Sequence, residues 1–342
     1  MKWYAAIDLH SNNNVTVVID EHDHVVYQQR LANELAVILQ ALAVYQAELH
    51  GIAVESTYNW YWLVDGLMEH GYRVHLVNTA AIHQYEGLKY TDDHSDARWL
   101  AHLLRLDVLP EGYIYPRTDR PVRDLLRKRS QMVRQRTTNL LSIQSLLTRN
   151  TGRSLNANRV KTLDGPQVDV LLPNSDLALA VKANLSVMSS AEAQAELLER
   201  TILDRVKLRP PFSVLKSVPG IGDILALTIM LETGDIGRFG RVGNFASYCR
   251  CVGSEKISNG KKKGQGNTKN GNKYLAWAFV EAAHFAVRYN ATIKRFYARK
   301  KAKTTMVVAI KTVAHKLCRA CYHIMRTQVA FDLSKAFGTK AI

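Results

Sequence analysis

The segment Tyr90-Thr91-Asp92-Asp93-His94-Ser95-Asp96-Ala97 leads into an apolar run whose spacing is typical of an amphipathic helix. In such a helix Asp93 and Asp96 are three residues apart, so they share one face near its N-terminus. Two more acids end short apolar segments that are typical of strands: Asp8 follows the first and Glu55 a later one. Four carboxylates on three elements predict a Mg²⁺ site, because hard cations prefer carboxylate and water ligands.

The order of elements in the first third of the chain favours this convergence. Hydrophobic patterning predicts three strands with short connections within residues 2–27, helices over 33–49, 60–70 and 95–106, and strands over 52–55 and 72–77. Three strands followed by alternating helices and strands are the order of the ribonuclease H-like fold. In that fold, acids on the first strand, the fourth strand and a late helix meet. We therefore predict an α/β, ribonuclease H-like domain over residues 1–117.

The remainder of the chain is expected to be mostly helical. Residues 121–149 and 176–207 carry apolar side chains at helical spacing and predict two long helices, with a polar, Asn-rich stretch between them. Such a pair forms an antiparallel hairpin or a dimerising coiled coil, so a helical linker and an oligomerisation arm are both open interpretations of residues 118–208. Residues 209–342 are predicted to form a mostly α-helical third domain.

Charge is distributed unevenly along the 342 residues, whose formal net charge is +16. Residues 1–117 contain 7 Lys and Arg against 15 Asp and Glu, a net charge of −8, whereas residues 238–303 contain 16 against 2, a net charge of +14. The cations of the second region are interleaved with Gly, Asn, Tyr and Trp, which is typical of a nucleic-acid binder with salt-dependent affinity. A solvated surface that favours solubility is the alternative interpretation.

Two segments of the third domain predict contacts with phosphates. The turn Val218-Pro219-Gly220-Ile221-Gly222, between two apolar helices, is similar to one helix-hairpin-helix unit, whose glycines Gly220 and Gly222 let backbone N–H groups approach phosphates. A plain helical turn is the alternative. The Gly- and Asn-rich segment between Cys251 and Tyr274 is expected to be a mobile loop. Its predicted nucleic-acid-binding lysines are Lys256, Lys261, Lys262, Lys263, Lys269 and Lys273.

Other features of the composition limit the compartment and the class of protein. No run of about eighteen apolar residues occurs, and the N-terminus lacks a basic region followed by a hydrophobic one, so we expect a cytoplasmic, soluble protein. The four cysteines form the pairs Cys249-x-Cys251 and Cys318-x-x-Cys321. Neither pair has the aromatic or histidine context of a zinc module, so buried free thiols are favoured over structural zinc.

The ordered set of motifs, from about residue 3 to residue 325, resembles the DEDD transposases of the insertion sequence 110 family, which also include Piv-type DNA invertases. The resemblance is carried by Asp8, Glu55, Asp93-x-x-Asp96-Ala97, the Val218–Gly222 turn and the segment from Ser258-Asn259-Gly260-Lys261 to Lys273-Tyr274-Leu275. It implies a RuvC-like N-terminal metal domain and a C-terminal transposase domain that supplies a serine nucleophile. In the family these form a composite active site, usually across subunits of an oligomer.

The resemblance assigns roles to particular residues. Asp8, Glu55, Asp93 and Asp96 match the acidic tetrad, expected to bind two Mg²⁺ ions, and Ser258 matches the nucleophile. Such chemistry is reasonable, because a serine hydroxyl needs a base or metal to become nucleophilic and two carboxylate-bound ions can assist displacement at phosphorus.

Two departures from the family pattern leave alternatives open. Thr91 is followed by two aspartates, so Asp92 is an alternative to Asp93. Asn259 stands where glycine or serine is usual, so Ser254 is a reserve candidate for the nucleophile.

The resemblance also implies an activity. Family members excise and insert their own element without hydrolytic loss of DNA, and some are guided by a structured RNA from that element. We therefore expect a nucleoid-associated transposase that binds DNA and a guide RNA, forms a dimer or tetramer, and has no membrane partner. The alternative is a RuvC-like, metal-dependent nuclease or Holliday-junction resolvase in which water attacks. An actin-like ATPase is disfavoured, because Leu9-His10-Ser11-Asn12 lacks the glycine-rich turn that follows the first aspartate in those proteins.

Overall fold

The computed structural model describes residues 2–82, 92–264 and 270–338. Tyr90 and Thr91 of the acidic motif, and Lys269 of the lysine set, lie outside these residues. The described chain divides into two compact units, the first within residues 1–117 and the second within residues 118–264 and 271–342. A further division of the second unit after residue 208 stays a prediction.

A mixed five-stranded sheet in the order β3-β2-β1-β4-β5 forms the centre of the first unit. Its strands are β1 (Trp3–Leu9), β2 (Asn13–Ile19), β3 (Val25–Ala32), β4 (Leu49–Glu55) and β5 (Val74–Val77), and its helices are α1 (Leu35–Ala43), α2 (Tyr61–Glu69) and α3 (Asp93–Arg105). The first three strands are antiparallel, and β4 is parallel to both β1 and β5. This mixed α/β arrangement is consistent with the ribonuclease H-like domain predicted from the sequence.

The first helix is shorter than predicted, and β3, which was predicted to end at Tyr27, continues to Ala32. The helix expected over residues 33–49 ends at Ala43, and a short 3-10 turn leads directly into β4. Leu49 pairs with Trp3 of β1, so the sheet includes the last residue that helical periodicity alone had assigned to α1.

Both faces of the sheet are covered, which fixes the direction of the side chains at the strand ends. Ile7 of β1 packs in the cluster formed with α1 and α2, whereas Ala6 packs in the cluster formed with α3. Side chains alternate between the two faces of a strand, so Asp8 lies on the α3 face. Ala53 of β4 also belongs to the α3 cluster, and Glu55, two residues later, shares that face.

The second unit is mostly helical. Its helices are α4 (Arg120–Thr151), α5 (Ala157–Lys161), α6 (Gly165–Leu171), α7 (Ser175–Val206), α8 (Pro210–Leu215), α9 (Asp223–Thr233), α10 (Val242–Tyr248), α11 (Lys273–Tyr289), α12 (Ala291–Lys301), α13 (Met306–Thr327) and α14 (Leu333–Phe337). Among the helices of the described residues, none has both the length and the apolar character needed to cross a bilayer.

The long helices α4 and α7 lie antiparallel within this chain. Arg129 of α4 pairs with Glu199 of α7 at 2.9 Å. Two helical turns further along α4, Arg136 pairs with Glu192 at 2.9 Å. Residue numbers rise along one helix and fall along the other, as an antiparallel hairpin requires. The pair is continuous with the core of the rest of the unit, because Val122 and Leu126 of α4 and Ile202 and Val206 of α7 belong to the same apolar cluster as α9, α11 and α13.

Helix α9 lies at the centre of this core, since every residue from Leu225 to Thr233 is buried. The cysteines contribute to the same packing: Cys249, Cys318 and Cys321 are buried free thiols, and Cys251 is half-buried. The Cys318 thiol lies within hydrogen-bonding reach of Cys249 and Cys251.

Part of the segment expected to be a mobile loop is a β-hairpin, formed by β6 (Lys256–Ser258) and β7 (Lys261–Gly264). The two connecting residues, Asn259 and Gly260, have φ angles of +49° and +69°. Two positive φ angles in a two-residue connection are the requirement of a type I′ turn, for which Asn-Gly is a preferred sequence. The expectation of a loop was therefore wrong for residues 256–264, because it passed over the Asn-Gly signal.

Candidate functional site

Asp8 and Glu55 lie side by side at the carboxyl ends of the parallel strands β1 and β4. Ile7 is opposite Val54 in the strand register, so the residue that follows each of them reaches the same level of the sheet. Asp8 is only 5% exposed and Glu55 is half-buried. Burial, a hydrogen bond with Asp8 and the negative charges of Asp8 and Asp96 raise the pKa of Glu55 to about 8. Glu55 therefore retains a proton at neutral pH in the metal-free protein.

Helix α3 presents its acids in two different ways. Asp92 is the N-cap: its carboxylate accepts a hydrogen bond from the Ser95 backbone N–H at 2.8 Å, and the Ser95 hydroxyl accepts one from the Asp92 N–H at 2.9 Å. Asp93 and Asp96 follow in the first turn, where the positive end of the helix dipole favours carboxylates. The structure thus gives Asp92 a capping contact and leaves Asp93 to reach other side chains.

Arg30 is one of those side chains, and sequence reasoning missed it. Its guanidinium lies 2.5 Å from Asp93 Oδ2 and 2.6 Å from Asn13 Oδ1. The hydrogen bond from Arg30 is the main cause that lowers the pKa of Asp93, and the charges of His10 and Arg30 act in the same direction. The strand register explains the position, because Val15 is paired with Asp8 on one side and with Arg30 on the other.

His10 also lies among the acids. Its Nε2 atom is 3.5 Å from Asp8 Oδ2 and 3.3 Å from Asp93 Oδ2. The His10 carbonyl accepts hydrogen bonds from the side-chain amides of Asn33 and Asn59, which fix the chain just after β1. The only sequence signal for this histidine was its position two residues after Asp8.

These contacts connect the predicted tetrad. Asp8, Glu55 and Asp96 line one cavity of about 310 Å³, together with Thr79, Ile82, Trp99 and Leu100. Asp93 is connected to these residues through Asp8, because ligand atoms of Asp8, His10 and Asp93 lie within 4.8 Å of one another. No other set of three such metal-ligating residues occurs among residues 2–82, 92–264 and 270–338.

The donor set fits a hard divalent cation on two grounds. Carboxylates dominate it, as Mg²⁺ prefers. In addition, the His10 Nε2 atom, a nitrogen that can bind a metal ion, is shielded from solvent and faces the carboxylates of Asp8 and Asp93.

Ser258 lies at the last position of β6, next to the turn, and it is exposed. It pairs with Lys261 across the hairpin. Ser254, the reserve candidate, lies outside both strands and is half-buried. The greater exposure of Ser258 makes its hydroxyl the more accessible of the two.

The predicted lysines are concentrated on and around the hairpin. Lys256 begins β6; Lys261, Lys262 and Lys263 are exposed on β7, and Lys273 is exposed at the start of α11. Lys262 forms an ion pair with Glu255 at 2.7 Å. The lysines of β7 therefore present a charged surface on the strand that follows the turn after Ser258.

The glycines of the Pro219-Gly220-Ile221-Gly222 turn have different surroundings. Gly220 has a φ of +87°, and a Cβ there would lie 2.3 Å from the Ala282 carbonyl oxygen and 2.6 Å from the Ala286 nitrogen of α11. Gly222 is the N-cap of α9, is exposed, and has nothing within 4 Å of its Cβ position. Packing alone therefore explains Gly220, whereas the open surroundings of Gly222 leave room for a ligand.

A buried charge cluster supports the start of α11, and sequence reasoning missed it. The Glu232 side chain is 1% exposed and accepts hydrogen bonds from Arg123, Arg127 and Asn272 at 3.1, 2.6 and 2.8 Å. Asn272 is also the N-cap of α11, through bonds from the N–H groups of Tyr274 and Leu275. The available signal was a single carboxylate in the otherwise apolar run of α9, which a core admits only when it is paired.

Comparison with known proteins agrees with this geometry. Residues 5–150 match the model of a transposase family of the IS110 DEDD type, and residues 213–298 match the model described as the transposase IS116/IS110/IS902 family. A relative from Streptomyces coelicolor, the insertion element IS110 uncharacterized 43.6 kDa protein, is 24% identical over 173 residues. That alignment covers 50% of this chain and 43% of the relative, so the chain matches less than half the length of that protein.

The two family models match separate parts of the chain in the order expected from the sequence motifs. The first spans the strands and helix that carry Asp8, Glu55, Asp93 and Asp96, and the second spans the hairpin that carries Ser258. The chain belongs to the IS110 family of transposases.

Proposed function

We propose that this protein is a recombinase that cuts and rejoins DNA for an insertion sequence, with Ser258 as nucleophile and Mg²⁺ held by an acidic tetrad. The observation that carries the proposal is the convergence of Asp8, Glu55, Asp93 and Asp96, the four acids that the sequence motifs predict. In this proposal residues 1–117 form the catalytic metal domain, 118–208 the helical linker and oligomerisation region, and 209–342 the domain that carries the nucleophile.

The four carboxylates would hold the cations, with two ions as the expected number. When bound, divalent cations stabilise the negative charge that develops on the attacking and leaving oxygens during displacement at phosphorus. The tetrad also keeps Arg30 next to Asp93, where a guanidinium is suited to a phosphate oxygen. Ionisation of Glu55 completes the negative charge of the site when a cation replaces its proton.

Ser258 would carry the covalent chemistry. Its Oγ forms a bond to phosphorus while the bond from phosphorus to one deoxyribose oxygen breaks; the serine proton passes to a basic group or water, and the released oxygen takes up a proton. The reverse step, with a hydroxyl of a second DNA end as attacking group, rejoins the strand. The phosphodiester energy is retained in the serine ester, so no ATP is needed.

The hairpin lysines would hold the DNA backbone beside Ser258. Lys261, Lys262 and Lys263 are exposed on the strand opposite the serine, and Lys256, Lys269 and Lys273 are proposed for the same role. Their positive charge also stabilises the additional negative charge of the pentavalent phosphorus.

The partners proposed for this activity are DNA, a structured guide RNA encoded by the element, and further copies of the chain in a dimer or tetramer. The strongly basic composition supports nucleic acid as partner, with a sequence pI near 9.7. A nucleoid-associated location follows from that affinity.

The second candidate function is hydrolysis by a RuvC-like nuclease or junction resolvase. The acidic tetrad is compatible with it, because the same metal site can activate water. The exposed position of Ser258 on a basic hairpin favours the recombinase instead.

The deciding experiment compares Ser258→Ala with Ser254→Ala on labelled DNA that carries the ends of the element, with and without the element's noncoding transcript. Denaturing gels should show a protein–DNA adduct for the wild type and Ser254→Ala, and none for Ser258→Ala. Asp93→Asn should abolish the adduct while DNA binding remains. Cleavage by Ser258→Ala at the wild-type rate, without any adduct, would overturn the serine mechanism in favour of hydrolysis.

A further inference from the structure

Helix α12 presents a strongly basic face to solvent. Ile293 is buried, and Phe296 and Tyr297 pack against the core of the second unit, so these residues define the inner side of the helix. The outward residues are cationic and exposed. We call them the α12 face; they are Lys294, Arg295, Arg299 and Lys301.

The surrounding sequence supplies no negative charge to neutralise the α12 face. Between Glu281 and Asp332 the chain contains 11 Lys and Arg and no Asp or Glu. Within the described part of the chain, none of the four residues forms an ion pair: the recorded contact of Arg295 is with the hydroxyl of Thr292, at 3.4 Å. By contrast, Lys182, Lys207 and Arg117 elsewhere on the surface are each paired with a carboxylate.

Exposed apolar side chains follow the α12 face in the sequence. After α12 the chain turns through Lys303 and begins α13 with Met306, Val307 and Val308, whose exposed fractions are 60%, 60% and 48%. Thr305 caps the first turn of α13 through a bond from the Val308 N–H, so this apolar end is part of a regular helix. Three consecutive exposed apolar residues are unusual on a solvated surface.

Together these observations define the chemistry of a partner. Four like charges on one helix repel one another, and this repulsion is relieved by a polyanion with regularly spaced charges. A nucleic acid provides such charges along its backbone, and its sugars and base edges offer apolar contacts beside them. Helix geometry favours contact with such a backbone, because Arg295 and Arg299 are one turn apart and point in the same direction.

We propose that the α12 face is a second contact with DNA, the partner that a transposase family implies, in which Lys294, Arg295, Arg299 and Lys301 bind backbone phosphates and Met306–Val308 contact the adjoining sugars or bases. It is separate in sequence from the hairpin lysines around Ser258. The inference rests on the proposed function, because it takes the same class of ligand, but it makes no use of the serine or of the metal site.

The test measures binding of a labelled DNA duplex, and separately of a structured RNA, by fluorescence anisotropy between about 50 and 200 mM salt. The variant is Lys294→Gln, Arg295→Gln, Arg299→Gln and Lys301→Gln combined. Its matched control, Arg117→Gln, Lys161→Gln, Lys182→Gln and Lys207→Gln, removes the same charge from ion-paired positions.

The α12 variant should bind on the order of 10- to 100-fold more weakly at about 0.1 M salt, and for duplex DNA the slope of log K against log salt should fall by about 3 to 4. A lower slope for the RNA alone, with DNA binding unchanged, would overturn the assignment to DNA. Met306→Ser, Val307→Ser and Val308→Ser combined should weaken binding without changing the slope. A variant with Lys and Arg exchanged at the four positions should retain the slope.

Equal slopes and affinities for the α12 variant and its control, at unchanged thermal stability, would overturn the inference. A selective loss of binding to vesicles of anionic phospholipid, with nucleic-acid binding intact, would overturn it as well. Failure of the proposed function gives a different result from failure of this inference. In that case the wild-type protein would still bind nucleic acid with the α12-dependent slope, but it would form no covalent adduct.

Discussion

The carboxyl groups of Asp8 and Glu55 share a hydrogen bond at the ends of two adjacent parallel strands. One proton between them relieves the repulsion that two buried carboxylates would otherwise have. In the metal-free protein this pair of carboxyl groups therefore holds one proton at the place where a cation would bind.

The first prediction concerns the stability of metal-free protein as the pH rises. The pKa of Glu55 is about 8 in the folded chain against 4.5 for a solvent-exposed glutamate, as in the unfolded chain, so between these values the folded state holds more protons than the unfolded state. The free energy of unfolding in EDTA should therefore fall as the pH rises through this window. Glu55→Gln should flatten the dependence, as measured by urea unfolding at pH 5 to 9.

A control for this pH dependence is Glu34→Gln, which removes an exposed carboxyl from the same unit. It should leave the wild-type slope unchanged. Saturating Mg²⁺ should also reduce the slope in the wild type, because a bound cation favours ionised Glu55. The prediction fails when Glu55→Gln and the wild type lose stability in parallel between pH 5 and 8.

The second prediction separates the neighbouring aspartates Asp92 and Asp93. Asp92→Asn retains a side-chain oxygen to cap α3, so stability should change by less than about 0.5 kcal/mol and strand transfer should persist. Asp93→Asn weakens the proposed cation site and should slow strand transfer about 100-fold or more. Guanidinium unfolding and the adduct assay measure the two effects. The assignment is wrong when Asp92→Asn abolishes the adduct and Asp93→Asn does not.

The third prediction separates the two glycines of the Pro-Gly-Ile-Gly turn. Gly220→Ala should cost about 3 kcal/mol or more, because a Cβ at φ +87° meets the backbone of α11. Gly222→Ser should leave stability unchanged or slightly higher, since serine is a good N-cap.

Gly222→Ser consequently tests the predicted phosphate contact without disturbing the fold. Weaker DNA binding at unchanged melting temperature would favour a backbone contact at this turn. Unchanged binding in the same titration would restrict the role of the turn to packing.

The fourth prediction concerns the buried Glu232. Glu232→Ala leaves Arg123 buried without its carboxylate and should destabilise the protein by about 3 to 5 kcal/mol. Glu199→Ala, which breaks the more exposed pair with Arg129, should cost less than about 1 kcal/mol. Chemical unfolding of both variants at pH 7 measures the difference. Comparable losses for the two would show that burial does not determine the contribution of the pair.

Glu232 also predicts a response to acid. Burial acts to raise its pKa, but hydrogen bonds and charges from Arg127 and Arg123 outweigh that effect, so the pKa lies below its ordinary value. Its contribution to stability is present above the unfolded pKa and is lost as the pH falls through the folded one. Acid unfolding of Glu232→Gln should therefore show a weaker pH dependence than that of the wild type.

Much of the first unit could be predicted because its information is local. Nearly continuous apolar runs, typical of strands buried on both faces, specify β1 and β2, and the acids that end β1 and β4 are visible in the sequence. The Asn259-Gly260 turn was also local information, since both residues adopt the positive φ that their types tolerate.

The remaining parts of the site depend on contacts between distant residues. Arg30 and Asp93 are 63 positions apart, and Arg123 and Glu232 are 109 apart. The residues around an arginine in the sequence do not show whether its side chain contacts an acidic cluster or faces water. The same is true of Gly220, whose need for glycine comes from the backbone of α11.

The sequence by itself determined the order of strands and helices, the two long helices and the positions of the acids, because side-chain periodicity and strand ends are properties of neighbouring residues. Only the tertiary structure decided that Asp92 caps a helix while Asp93 meets Arg30 and His10, and that Glu232 is paired in the core. Strand register and helix packing set those relationships, and both arise from burial summed over the whole unit rather than from any single segment.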